Sequence, residues 1–103
     1  MNETKETDGQ AAQRATAVIR NSAGIHCRPT AVIVKAARQF DGPVTVHTPA
    51  GGSADVRSAI ELLSLALEAG STVEIEAGGS DAAACLQRMV ELFETEFDFP
   101  RAP

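Results

Sequence analysis

The pattern of apolar and polar positions predicts four strands along the chain. Apolar residues alternate with polar ones at positions 44–47 and 73–76, the pattern of a strand with one buried face. Residues 15–19, which are apolar except for Thr16, are also typical of a strand. A further short strand is predicted over Ser53–Asp55, after the turn at Pro49–Gly52.

Three helices are predicted from apolar residues that recur at intervals of three and four. Pro29 suits the first turn of the first helix, because an N–H group there would have no intrahelical acceptor. Gly70 is predicted to end the second helix, and Ser80 or Asp81 to cap the third. The predicted inward faces are, in chain order, Ile33, Ala36, Ala37 and Phe40, then Val56, Ile60, Leu63 and Leu67, and finally Leu86, Met89, Val90 and Phe93.

The predicted order of elements is β-α-β-β-α-β-α, which indicates an α+β domain. The simplest packing is one mainly antiparallel four-stranded sheet that three helices cover on one face. Residues 14–97 are expected to form this single domain. Residues 1–13 are mostly polar, and residues 98–103 contain two prolines, so both ends are predicted to be disordered tails.

Composition excludes several classes of protein. The chain has 103 residues, a formal net charge of −5 and 44 % hydrophobic residues, as expected of one folded domain. The acidic balance argues against a nucleic-acid binder that relies on a basic face, and the apolar runs are too short to span a membrane. The first residues lack the basic and then apolar pattern of a secretory signal. A cytoplasmic protein with reduced thiols at Cys27 and Cys85 is therefore expected.

The segment Gly24–Pro29 places a histidine, His26, at or just before the start of the first helix. Backbone N–H groups at a helix N-terminus, including those of Cys27 and Arg28, favour an anion because they lack intrahelical acceptors. The guanidinium of Arg28 can bind phosphate oxygens, and an imidazole nitrogen is a nucleophile. The segment therefore suits a histidine that accepts and holds a phosphoryl group, although the pattern alone leaves open a histidine that only caps the helix or is solvated.

The same segment, followed by an apolar helix, resembles the active-site segment of the HPr family, the histidine phosphocarriers of the bacterial phosphotransferase system. The similarity continues in order over about residues 15–95. Other similar segments are Phe40-Asp41, Val56–Leu65, Ala69–Ile75 and Gly79–Ala82. The resemblance implies the open-faced β-sandwich of that family, in agreement with the predicted order of elements.

For individual residues, the resemblance implies that His26 carries the phosphoryl group on Nδ1 and that Arg28 offsets its charge, together with the N–H groups of Cys27 and Arg28. Family members take the group from enzyme I, which phosphoenolpyruvate charges, and pass it to the A domains of sugar permeases. Such a chain is a phosphocarrier and not an independent enzyme. Ser58 matches a regulatory serine that an ATP-dependent HPr kinase phosphorylates in many relatives.

The resemblance also implies a docking face around His26 and the second helix, on which we expect Arg57, Ile60 and Leu63. A helix with apolar residues on several sides must expose some of them. We expect a monomer that needs no cofactor and neither binds nucleic acid nor inserts into a membrane. No metal site is expected, since the two histidines and two cysteines lack a metal-binding spacing.

Two other functions remain compatible with the sequence. One is a regulatory HPr-like protein controlled through Ser58, with little or no sugar transport, and a nitrogen-regulatory system is not distinguished from a sugar system. The other is a small-molecule-binding domain with a ligand in a sheet pocket and no role for His26. The chain departs from the family at Cys27, where Ala or Thr is common, and at Ala59 and Glu61 on the docking face. These departures leave the partners open, and also whether the kinase accepts Ser58.

Overall fold

The computed structural model describes residues 12–97. Its seven elements follow the predicted order β-α-β-β-α-β-α. They are β1 (Gln13–Val18), α1 (Cys27–Ala37), β2 (Val44–His47), β3 (Ser53–Asp55), α2 (Ala59–Ser64), β4 (Thr72–Ala77) and α3 (Ala82–Phe93). Most of the predicted N-terminal tail, and residues 98–103, lie outside the described residues. Gln13, which the composition assigns to that tail, is the first residue of β1 and pairs with Ala77.

The four strands form one sheet in the order β1-β4-β2-β3, and every neighbouring pair is antiparallel. Side chains alternate between the two faces, so Val46 of β2 and Val73 and Ile75 of β4 all point into the core. The polar residues between them lie on the opposite face, where Nε2 of His47 and Oε1 of Glu76 are 2.9 Å apart. The predicted alternation is therefore confirmed.

The helices complete the core on the apolar side of the sheet. α3 packs against β1, β4 and α1, and α2 packs against α1. Leu86, Met89 and Phe93 of α3 are buried, as their spacing predicts, whereas Val90 is only partly buried. This arrangement is the predicted α+β open-faced sandwich.

The second helix is shorter than the sequence predicts. α2 spans only Ala59–Ser64, and Leu65 is its last, half-helical residue. Ala66 then adopts a left-handed φ of 51°, which stops the helix. The predicted end at Gly70 is therefore wrong, because the chain leaves the helix four residues earlier.

The predicted inward face of the second helix is also wrong. Val56 and Leu67 are buried, but they lie in the loops before and after α2. Within the helix, Leu62 is the buried residue, and Ile60 and Leu63 are exposed. The four residues lie at helical intervals in the sequence, but Val56 and Leu67 are buried loop residues, whereas Ile60 and Leu63 are helix residues that point to solvent.

Thr30 of α1 carries a buried hydroxyl group. The residue is 1 % exposed, and its Oγ1 has no hydrogen-bond partner among residues 12–97. A buried unpaired hydroxyl costs about 1–3 kcal/mol, and valine has the same shape without it. Thr30→Val should therefore raise the free energy of unfolding by about 1 kcal/mol, measured by urea denaturation. The control Thr16→Val, at an exposed position of β1, should change it by less than about 0.5 kcal/mol. A loss of stability in Thr30→Val would contradict this prediction.

Candidate functional site

His26 occupies the N-cap position of α1, immediately before the first helical residue. Its backbone is extended, with φ −100° and ψ −156°. Its carbonyl oxygen accepts a hydrogen bond from the N–H of Thr30 at 2.9 Å. The side chain is partly exposed, and the neighbouring Cys27 and Arg28 are exposed. His26 therefore lies at the helix start that the position of Pro29 predicts.

The first turn of α1 suits an anion beside His26. The N–H groups of Cys27 and Arg28 belong to this turn, where an α-helix provides no intrahelical acceptor and its dipole places partial positive charge. The turn contains no acidic residue. Arg28 adds a full positive charge two residues from the imidazole. The arrangement can therefore stabilise a phosphoryl group on His26.

The loop before His26 is held against the loop that follows α2. Gly24 adopts a left-handed φ of +76°, and the N–H of Ile25 donates to the carbonyl oxygen of Leu67 at 2.9 Å. A Cβ on Gly24 would lie 2.4 Å from the same oxygen, so only glycine fits there. The contact with Leu67, which follows α2, thus fixes the position of the backbone immediately before His26.

The chain segment after α3 binds both the end of β1 and this loop. Oε2 of Glu94 accepts a hydrogen bond from the N–H of Val18 at 2.8 Å. Oε2 of Glu96 accepts one from the N–H of Ser22 at 3.0 Å. Neither contact could be predicted from the sequence, since the partners come from opposite ends of the domain and share no local pattern.

Arg57 lies at the opposite end of α1 from His26. The Nε and Nη2 groups of Arg38 donate to the carbonyl oxygen of Arg57 at 3.1 and 2.9 Å. Nη1 of Arg57 donates to the carbonyl oxygen of Gly42 at 3.4 Å. Arg38 and Gly42 both follow the C-terminal end of α1, and a helix of 11 residues is about 16 Å long. The structure therefore does not bring Arg57 and His26 together.

Three large apolar side chains are exposed within the described part of the chain, and all belong to α1 or α2. Ile60 is 80 % exposed, and Val32 and Leu63 are each 37 % exposed. Ile60 and Leu63 are thus accessible, as a docking role requires. The exposure of Val32 could not be predicted, because Val32 lies in a continuous apolar run in which no spacing distinguishes the exposed side.

Ser58 is the N-cap residue of α2. Its Oγ accepts a hydrogen bond from the N–H of Glu61 at 3.2 Å. The Glu61 carboxylate reaches back and accepts a hydrogen bond from the N–H of Asp55 at 2.9 Å. Ser58 is partly exposed, so its hydroxyl has a structural role and is also accessible.

Ser58→Ala should lower the free energy of unfolding by about 1 kcal/mol, because the N-cap acceptor is lost. Urea denaturation measures the change. Ser64 lies on the same helix and offers a matched control, since its hydroxyl donates to the carbonyl oxygen of Glu61 at 2.6 Å and does not cap α2. Ser64→Ala should change stability by less than about 0.5 kcal/mol. Equal losses in the two variants would contradict the capping role.

Both cysteines are free thiols, exposed at Cys27 and buried at Cys85. Burial raises the pKa of the Cys85 thiol, the positive charge of Arg57 opposes this shift, and the negative charge of Asp81 adds to it. Cys85 is therefore held as a neutral thiol in the core. In residues 12–97, no three His, Cys, Asp or Glu side chains are grouped so that they could hold a metal ion. No helix in that range has the length and apolar character needed to cross a bilayer.

The sequence matches a known protein family over most of its length. Residues 13–95 match the family described as "PTS HPr component phosphorylation site". The chain belongs to the HPr family. The matched range includes both His26 and Ser58, and the family assignment confirms the resemblance found in the sequence.

Individual members of the HPr family support the same conclusion. Phosphocarrier protein NPr of Proteus mirabilis is 35 % identical over 80 residues, which cover 78 % of this chain and 89 % of that protein. Phosphocarrier protein HPr of Haemophilus influenzae is 39 % identical over 74 residues, which cover 72 % and 86 % of the two chains. The crystal structure of HPr from Bacillus anthracis has a TM-score of 0.76 at 26 % identity and covers 80 % of this chain and 96 % of that one. The chain therefore has the HPr fold and is similar over most of its length to phosphocarrier proteins of the HPr and NPr types.

Proposed function

We propose that this HPr-family protein accepts a phosphoryl group on Nδ1 of His26 from phosphoenolpyruvate-charged enzyme I, and passes it to the A domains of sugar permeases in the cytoplasm. The main support is the position of His26 at the N-cap of α1 in a chain from a phosphocarrier family. Arg28 and the N–H groups of Cys27 and Arg28 then stabilise the phosphate charge.

The transfer moves a phosphoryl group without any change in oxidation state. The lone pair of His26 Nδ1 attacks phosphorus, the bond from phosphorus to the donor atom of enzyme I breaks, and its electron pair stays on the donor. In the second transfer the phosphorus–Nδ1 bond breaks and the imidazole keeps the electron pair. A proton on the other ring nitrogen makes the imidazole a better leaving group.

The environment of His26 is suited to reversible transfer. An anion at an exposed helix N-terminus gains about 0.3–1 kcal/mol from the helix dipole. The exposed positions of Cys27 and Arg28 keep their contributions modest as well. The phosphoryl group is therefore stabilised enough to persist between partners but is not trapped, and each partner supplies the remaining contacts of the transition state.

The docking surface in this proposal consists of Val32, Ile60 and Leu63, with Arg28 and Arg57 toward its two ends. Exposed apolar side chains with positive charge beside them suit a partner that is apolar in the middle and acidic around it. Charge of this kind mainly accelerates encounter, so docking should weaken as the salt concentration rises.

The test is incubation of the full chain with phosphoenolpyruvate and enzyme I, followed by mass spectrometry. We expect a gain of one phosphoryl group that acid removes and alkali does not, as for a phosphorus–nitrogen bond. The labelled protein should then pass the group to a purified permease A domain. Failure to gain the group from an enzyme I that charges another HPr would contradict the proposal, and a gain without onward transfer would contradict its second half.

A second candidate function is regulation through Ser58. Its hydroxyl is partly exposed at the N-cap of α2, while His26 lies at the far end of α1. A phosphate on Ser58 would add a charge of about −1.5 to −2 beside Glu61 and alter docking without covering His26. We expect HPr kinase and ATP to label the wild type but not Ser58→Ala. A kinase that labels another HPr but leaves Ser58 unmodified would contradict this candidate.

A further inference from the structure

Asn21 is a fully buried polar residue in the loop between β1 and α1. Its exposed fraction is 0 %, and Thr30 is the one other buried polar residue within residues 12–97. Asn21 takes no direct part in the proposed phosphoryl transfer or docking. A buried amide needs hydrogen-bond partners, so its contacts show what it holds in place.

The amide of Asn21 closes the turn that leads to His26. Nδ2 of Asn21 donates to the carbonyl oxygen of Gly24 at 2.8 Å. The N–H of Gly24 donates to the backbone carbonyl oxygen of Asn21, also at 2.8 Å. Two hydrogen bonds therefore fix Gly24 relative to Asn21, and Ile25 is anchored separately to Leu67. His26 is the next residue along the chain.

The same side chain joins this turn to the C-terminal part of the domain. Oδ1 of Asn21 accepts a hydrogen bond from the N–H of Phe97 at 2.6 Å. Phe97 is partly buried against the core, and the neighbouring Glu96 binds the N–H of Ser22. The acceptor at Gly24 and the donor at Phe97 need different atoms of one amide, Nδ2 for the first and Oδ1 for the second. An aspartate at this position would preserve the contact with Phe97 and lose the contact with Gly24.

We infer that Asn21 is a positioning residue for phosphoryl transfer at His26, an inference that rests on the proposed function. Its amide fixes Gly24 and, through it, the angle at which the chain enters α1. That angle sets the imidazole relative to the N–H groups of Cys27 and Arg28. A displacement of about 1 Å in such a geometry slows a reaction by on the order of 100-fold.

The test compares Asn21→Asp and Asn21→Ala with the wild type as acceptors from phospho-enzyme I. Both variants should lower kcat by on the order of tenfold or more. The KM for the carrier should stay within about twofold, because the docking surface on α1 and α2 is unchanged. Amide hydrogen exchange at Ile25 should also become faster, by on the order of tenfold, because the turn beside it is released.

The control is Val46→Ala, which removes packing from a buried position of β2 and no hydrogen bond of the loop. Below its unfolding midpoint it should retain the wild-type kcat and the protection of Ile25. If it slows transfer as much as Asn21→Ala, a general loss of stability explains both results and the inference is overturned. Wild-type kcat in Asn21→Asp would also overturn it, because the bond to Gly24 would then be dispensable.

Phosphoramidate, a small phosphorus–nitrogen donor, separates this inference from the proposed partners. If the wild type reacts with phosphoramidate but not with enzyme I, the partner proposal fails, and the same variants are compared by their rates with phosphoramidate. Slower reaction of both Asn21 variants would support the inference, and unchanged rates would overturn it. Absence of any reaction of the wild type with either donor would overturn both.

Discussion

His26→Ala should take up no phosphoryl group from phosphoenolpyruvate and enzyme I, whereas His47→Ala should take up as much as the wild type. The chain has two histidines, so the second is a matched control for the first. His47 lies in β2 on the polar face of the sheet, beside Glu76, and has no helix N-terminus next to it. Mass spectrometry after incubation measures the uptake, and a labelled His26→Ala would exclude His26 as the acceptor.

Both histidine variants should remain folded, so that a lost label reports chemistry. His26 is partly exposed at a helix end, and its replacement should change the free energy of unfolding by less than about 0.5 kcal/mol. His47→Ala removes a partly exposed pair with Glu76, which is worth at most about 1 kcal/mol. Urea denaturation of both variants checks this before the labelling is interpreted.

Gly24→Ala should destabilise the protein by more than about 2 kcal/mol, the largest stability change expected at the site. The substitution adds a strained left-handed backbone, which costs about 1–2 kcal/mol, to a Cβ that would lie 2.4 Å from the Leu67 carbonyl oxygen. The N–H of Ile25 donates to the same oxygen, so relief of the clash would break that hydrogen bond. Urea denaturation measures the loss.

Gly70→Ala is the matched control for Gly24→Ala. Gly70 has a φ of +88°, close to the +76° of Gly24, but a Cβ there would have no atom within 4 Å. Its replacement should cost only the backbone strain of about 1–2 kcal/mol. The difference between the two variants therefore measures the clash with Leu67. Equal losses would show that the loop moves aside freely and that its contact with Leu67 does not position His26.

The parts of the fold that could be predicted most clearly from the sequence are those in which a single period extends over a whole element. Val73 and Ile75 alternate cleanly along β4, and Met89 and Phe93 lie on the inner side of the long helix α3. α2 could not be predicted in this way, because six residues are too few to show a helical period. Its end depends on the left-handed φ of Ala66, which no residue preference indicates.

The candidate site, too, could be predicted only in part from the sequence. His26 could be placed because a proline three residues later marks a helix start, which is a local signal. The support for the site could not be predicted, because it joins residues that are far apart in the chain. Asn21 bonds to Phe97, 76 residues away, and Ile25 bonds to Leu67. An asparagine shortly before a glycine indicates a turn. It does not indicate which distant group forms a hydrogen bond with the other polar atom of the asparagine side chain.

The bond between Glu94 and Val18 has a consequence for how the sheet can associate. β1 is an edge strand, and the N–H of Val18 points away from β4, since the next N–H, of Ile19, donates across to Ser71. An outward N–H on an edge strand is a template for pairing with a strand of another molecule. The carboxylate of Glu94 occupies this donor at the end of β1 nearest the histidine loop. A strand added along β1 would therefore have to displace Glu94 before it could bond to the N–H of Val18.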